Sequence, residues 1–251
     1  MELDDAYANG AYIAGAEGYP PRWAIAAKGW VEVQSAKGLA KLDIAYGSGA
    51  RQTFDLFGQD AAPKGLMVFV HGGYWLKFDR SSWSHLAAGP LAQGWAVAIP
   101  SYDLCPSVSI ADITRQIATA VEVIAERNEG PLALAGHSAG GHLAAMVASA
   151  GWADRPAIQS LTAISGLFDL GPLLETSAND WLDLTPAMAR SLSPINNPPP
   201  GGLPVLLGIG RAETDAFRYQ MGLYAKTCRQ LNCPTQTFES PNADHFQIIG
   251  D

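Results

Sequence analysis

Apolar residues recur along this 251-residue chain in two rhythms. Residues 39–46 and 52–56 alternate apolar with polar positions on either side of Gly47-Ser48-Gly49, which predicts an antiparallel pair near one edge of a sheet. Residues 65–70, 95–99, 131–135 and 203–209 are continuous apolar or small runs, with a weaker one over 158–164, each short enough for a parallel strand buried on both faces. In the gaps, Ile110, Ile113, Ile117, Val121 and Ile124 step by three and four, marking one face of an amphipathic helix over 109–127. Residues 81–92, 138–150 and 215–231 are further helix candidates. Strands alternating with helices predict an α/β fold with a doubly wound, mostly parallel sheet, which binds ligands beyond the carboxyl ends of its strands.

Residues 166–200 break the alternation. They hold Leu167, Phe168, Trp181, Leu182, Leu184 and Met188 and run into Pro198-Pro199-Pro200-Gly201-Gly202. This reads as an excursion over the site, a small cap, or equally as a plain surface connection with one short helix. With 48% hydrophobic and 16% charged residues, one domain over 1–251 is expected. The uncharged stretch 130–153 suggests a membrane span by length alone, but His137, Ser138, His142 and several glycines divide it into a strand and a helix. A net charge of −8 with scattered basic residues argues against a nucleic-acid partner. The opening Met1-Glu2-Leu3-Asp4-Asp5 has no secretory pattern, and Cys105, Cys228 and Cys233 form no C-x-x-C, so reduced thiols of a cytoplasmic protein are expected. A homodimer is left open.

The chemistry concentrates at Gly136-His137-Ser138-Ala139-Gly140, where the run over 131–135 meets a helical pattern. A G-x-S-x-G turn between strand and helix exposes its serine at a strained corner. Such a serine needs a base and an orienting carboxylate, and in this kind of sheet they follow in the order Ser, acid, His. His71 and His85 precede Ser138, His137 lies inside the turn and His142 one helical turn beyond it, which leaves His245, in the polar loop Asn242-Ala243-Asp244-His245-Phe246. After the run over 203–209, Glu213 comes first in the loop, whereas Asp215 sits where a helix begins and fits an N-cap; Asp169 is a third, weaker candidate. His71-Gly72-Gly73-Tyr74-Trp75 follows another strand, so the N–H groups of Gly72 and Gly73, with that of Ala139, are candidate oxyanion donors. Tyr74, Trp75, Tyr102, Phe168 and Trp181 are candidate lining for an aromatic-friendly pocket, though bulky apolar residues are more often plain core.

Together these motifs resemble the α/β-hydrolase superfamily, and within it the hormone-sensitive-lipase-like esterases with an HGG loop and a GxSAGG elbow. Ser101-Tyr102-Asp103-Leu104-Cys105-Pro106 is similar to a segment those proteins carry after the next strand. The segments His71–Trp75, Gly136-His137-Ser138-Ala139-Gly140-Gly141-His142-Leu143, Ser165-Gly166-Leu167-Phe168-Asp169-Leu170 and Asp244-His245-Phe246 are similar, in the same order, to those of the kynurenine formamidase branch. That resemblance covers roughly residues 65–250. It puts the acid at Glu213, in a segment running from Gly210 to Phe217 and Gln220, where vertebrate members usually have Asp. Only six residues follow His245, where members normally continue into a last helix, so either that helix is missing or something else covers the sheet.

The resemblance implies a serine hydrolase that cleaves a small carboxylic ester or N-formyl amide through an acyl-enzyme. Ser138 attacks, His245 carries the proton and Glu213 orients His245. A general short-chain carboxylesterase is the alternative among enzymes, and a non-catalytic ligand-binding protein on a hydrolase scaffold the alternative outside them. Metal-dependent formamidases carry a His-x-Gly-Thr-His-x-Asp cluster absent from this chain, and His137 and His142 are five apart, poor spacing for joint ligation, so no metal or cofactor is expected.

Overall fold

Every second residue of the central strands points to the same side of the sheet, and the two sets enter different cores. From β3 (Leu66–Val70), Leu66, Val68 and Val70 pack with helices on one face, while Phe69 joins an aromatic cluster on the other. In β4 (Ala96–Pro100), Ala96 and Ala98 face the first side, and Val97 and Ile99 the second. Two covered faces explain why these runs are apolar without a break. The computed structural model describes residues 2–59, 62–127, 129–149 and 158–250.

The sheet has eight strands in the order β1-β2-β4-β3-β5-β6-β7-β8. β1 (Ala40–Ala45) and β2 (Thr53–Phe57) form the antiparallel edge, and β2 runs antiparallel to β4. β3, β4, β5 (Leu132–His137), β6 (Ile158–Ile164), β7 (Val205–Gly210) and β8 (Thr235–Ser240) are mutually parallel.

Among the helices, α1 is Glu2–Tyr7 and α2 is Tyr19–Ala36. The segment expected as one helix over 81–92 is two 3-10 turns, Arg80–Ser82 and Ser84–Ala87, followed by a short α3 (Ala88–Ala92). Pro90 lacks the N–H an uninterrupted helix would need there, and is tolerated only in the first turn of a new one. α4 (Ile110–Ala125) starts at a capping box in which Ser109 and Asp112 each accept the other's backbone N–H. α5 (Ala139–Val147) follows β5; the expected end at Ala150 lies outside the described residues.

The stretch 166–200 folds into a 3-10 turn (Gly171–Glu175), a helical turn α6 (Asn179–Leu182), α7 (Pro186–Ser191) and a second 3-10 turn (Pro194–Asn196). It buries Leu167, Leu170, Leu173, Leu182 and Leu192 in the main core. α8 (Asp215–Gln230) then packs beside β7 and β8.

The N-terminal segment covers part of one face of the sheet. Tyr19 and Trp23 of α2 pack with Phe57, Phe69, Val97 and Ile99, and both rings meet Phe246 edge-on. Helical periodicity did not reveal α2 because Ile25 and Val33 leave apolar side chains exposed on its outer side. Its start fits the sequence, with Pro20 and Pro21 in the first turn.

Candidate active site

β5 ends at His137 and α5 begins at Ala139, so Ser138 alone makes the corner, at φ 56° and ψ −123°. L-residues rarely take this conformation, and its cost persists only where surrounding structure enforces it. Here the flanking glycines enforce it. A methyl on Gly136 would strike the Gly140 backbone, and one on Gly140 would strike the carbonyl oxygens of Val70 and His71. The helix start is thus pressed against β3, and the Ser138 N–H is tied to the Ile164 carbonyl of β6 at 2.9 Å. Gly140→Ala has no space to relax into, because its would-be neighbours are backbone. We expect it to cost about 3 kcal/mol or more, read as a fall in Tm or loss of soluble protein; a Tm within 2 °C of wild type would contradict this packing.

Three loops at the carboxyl ends of the strands meet beside that corner. Glu213, after β7, holds His245, after β8: Nδ1 of His245 lies 2.6 Å from Oε2 of Glu213, and the carboxylate side chain is wholly buried. Its other oxygen, Oε1, accepts from Ser165 Oγ at 2.6 Å and from the Gly210 N–H at 2.8 Å. Asp215 is fully exposed beside Arg218, and Asp169 accepts from the Gly171 N–H, so neither reaches the imidazole. Phe217 meets the His245 ring edge-on at 4.9 Å. His137 packs on the ring at 4.6 Å and donates Nε2–H to the His245 carbonyl at 2.9 Å. Ser138 and His245 line one cavity. A buried imidazole with one nitrogen fixed by a carboxylate can accept a serine proton at the other.

The His71-Gly72-Gly73 loop lies directly over the corner. A Cβ on Gly72 would sit 3.1 Å from Ser138 Cβ, and Gly73 has φ +119°, beyond the reach of other residues. His71 donates Nδ1–H to the Gly72 carbonyl at 2.7 Å, while Tyr102 donates its hydroxyl to the His71 carbonyl at 2.8 Å. Arg51 bonds the carbonyls of Tyr102 (2.7 Å) and Phe78, anchoring the loop's far end. Ala139, the first residue of α5, contributes an N–H with no helical acceptor. Donors in such a corner can hold a developing oxyanion.

The cavity encloses about 640 Å³. Of the five aromatic residues expected to line it, only Tyr74 does. Trp75 is fully buried and meets His142 edge-on at 5.0 Å, because the loop turns back into the core after Tyr74. Tyr102 is spent stacking on His71 at 4.3 Å, and Phe168 stacks on Tyr224 at 4.3 Å. Trp181 is 58% exposed on the excursion and does not line the cavity.

The aromatic lining comes instead from Tyr7, Trp23, Phe78, Trp83 and Phe246, and Thr176, Ser177 and Ala178 of the excursion line the same cavity. The N-terminal segment is fastened there by the Ser177 N–H donating to Asp4 (2.6 Å) and Thr214 donating to the Ala6 carbonyl (2.7 Å). Buried Gln220 accepts from the N–H groups of Phe168 (2.8 Å) and Asp169 (2.7 Å) and donates to the Tyr7 hydroxyl (2.9 Å). Periodicity says nothing of these contacts; the one available signal was the segment ending in Phe217 and Gln220.

Burial keeps the site's surrounding histidines neutral. It pushes His71 and His142 down to about 4, against a weaker opposing effect of the carbonyls of Gly72 and Leu192, and holds His137 well below 6.5, aided by His245. Unfolded, such rings bind protons below about pH 6.5; folded, His71 and His142 do so only near pH 4. Protons therefore favour the unfolded chain between those values. Stability is complete above pH 6.5 and falls by roughly 2 kcal/mol for each of the two by pH 5. Urea denaturation at pH 7.5 and 5.0 should show this, and His142→Gln should reduce the difference; equal midpoints at both pH values would contradict it.

The alpha/beta hydrolase family model matches residues 67–244. Kynurenine formamidase of Salmo salar is 29% identical over 233 residues, covering 86% of this chain and 79% of that protein; the Danio rerio enzyme is 26% identical, covering 83% and 75%. A crystal structure from Silicibacter sp. tm1040, described as a candidate thioesterase, is 44% identical with a TM-score of 0.88, covering 99% of this chain and 94% of that one. An esterase of Pyrobaculum calidifontis shares the fold, with a TM-score of 0.71 at 17% identity over 93% of this chain and 87% of its own.

Proposed function

The chain belongs to the alpha/beta hydrolase family, and from that premise we propose that it is a serine hydrolase of small carboxylic esters or N-formyl amides. The observation that carries this is the buried Glu213–His245 pair sharing a cavity with Ser138 at its strained corner. In this reading His245 Nε2 takes the Ser138 proton as Oγ bonds to the substrate carbonyl carbon. The oxyanion is held by N–H groups of Gly72, Gly73 and Ala139. Collapse expels the alcohol or amine, which leaves with the proton from His245, and water repeats the sequence to free the acid. Glu213, bonded to Nδ1, orients and stabilises the imidazolium between the two transfers.

Similarity to kynurenine formamidases and an aromatic-walled cavity with Tyr7, Trp23 and Tyr74 support an aryl formamide or aryl ester substrate. The thioesterase description of the Silicibacter relative raises acyl thioesters as well. A polyanionic thiol carrier is disfavoured, because among the described residues the lining carries Asp4 and Glu17 and, of lysines and arginines, Lys77 alone. We read residues 1–251 as one domain, since residues near both ends of the chain line one cavity, with Thr176, Ser177 and Ala178 of the 166–200 excursion as part of its wall. Among the described residues no helix is long and apolar enough to cross a membrane, and the three cysteines are free thiols, which suits a reducing cytoplasm.

Turnover of N-formylkynurenine, p-nitrophenyl acetate and acetyl-coenzyme A tests the assignment. The highest kcat/KM is expected for the formamide. A clear preference for the acetate ester would make this a general carboxylesterase, and for the thioester a thioesterase.

A further inference from the structure

Ser165 belongs to neither the elbow nor the pair it supports. It closes β6 at φ +50°, a left-handed conformation that glycine takes freely and serine only at a cost. Strain at a non-glycine residue suggests that its side chain is kept for a purpose. The hydroxyl has one: it donates to Glu213 Oε1 at 2.6 Å, with Ser165 2% exposed. Its own backbone is fixed by the N–H bonding the Gly208 carbonyl of β7 at 2.8 Å. The residue before it supplies the carbonyl that accepts the Ser138 N–H at 2.9 Å. One dipeptide at the end of β6 therefore touches the serine's backbone on one side and the acid's carboxylate on the other.

We propose that Ser165 is a positioning residue: with Ile164 it braces Ser138 against Glu213, and its hydroxyl, with the Gly210 N–H, occupies Oε1 so that Oε2 alone faces His245. The proposal rests on the serine-hydrolase reading. With Oε1 committed to two donors, the carboxylate has a single rotation, and the imidazole is presented to Ser138 in one orientation. Without the hydroxyl, Oε1 keeps only the Gly210 donor and the carboxylate can turn.

Ser165→Gly separates this role from a structural one, because glycine removes the hydroxyl while relieving the left-handed strain. We expect kcat on p-nitrophenyl acetate to fall about ten- to hundred-fold with KM within about two-fold, and Tm to be no lower than wild type. Ser165→Ala, which keeps the Cβ, should match it in kcat. In a cycle with Glu213→Gln, the double variant should be no more than about three-fold slower than Glu213→Gln alone, since both changes act through one carboxylate. Wild-type kcat in Ser165→Gly, or losses that multiply fully in the double variant, would overturn the proposal. Ser138→Ala, run alongside, separates the two failures. If it is inactive while Ser165→Gly is fully active, only the role of Ser165 falls; if it is active, the serine-hydrolase reading falls first.

Discussion

Ser138→Ala lowers kcat/KM for ester and formamide alike by about 10⁴-fold or more, with substrate affinity nearly unchanged. The expectation follows from the corner itself. Alanine has the same Cβ and meets φ 56° no worse than serine, so β5, α5 and the surrounding loops keep their places. What disappears is the oxygen that forms the acyl bond. Any residual rate comes from the N–H groups of the Gly72-Gly73 loop and Ala139 acting on attack by water. Steady-state kinetics beside a binding measurement on a slow substrate will check this; a loss below ten-fold would place the chemistry elsewhere.

Glu213→Gln is the second large effect, about 10³- to 10⁴-fold in kcat, and its direction follows from the hydrogen bonds around the carboxylate. The position of Oε1 receives donors from Ser165 and Gly210, so only the amide oxygen can occupy it. The amide nitrogen then faces His245 and donates to Nδ1, which must lose its proton and accept. The neutral ring now carries hydrogen on Nε2, toward Ser138, and cannot take the serine's proton. Volume and burial hardly change, so the variant should fold normally while turning over slowly. Glu213→Asp keeps the charge but not the reach and should lose less. Equal rates for wild type and Glu213→Gln would mean that His245 does not depend on this carboxylate.

The alternating and continuous apolar runs foretold the antiparallel edge and the parallel strands, because period two and double-sided burial leave direct marks on composition. Ser138 and His245 could be proposed because chain order constrains such sites and one histidine alone followed at the right place, whereas three carboxylates stayed open and position with the family resemblance favoured Glu213. The pocket wall was not legible. Tyr7 and Trp23 reach it from α1 and α2 through contacts more than a hundred residues apart in sequence, such as Gln220 with Tyr7. Trp75, Tyr102 and Phe168 look like pocket residues by position, and only packing against His142, His71 and Tyr224 turns them inward. Ser165 was hidden for another reason: nothing in a sequence marks a serine that will end a strand at positive φ.

Labelling with a fluorophosphonate, followed by peptide mass mapping, identifies the nucleophile. A single adduct is expected on the peptide containing Ser138, formed with parallel loss of esterase activity, slowed strongly in Glu213→Gln and absent in Ser138→Ala. An adduct on any other residue, or full activity in protein whose Ser138 is quantitatively modified, would contradict that role for Ser138.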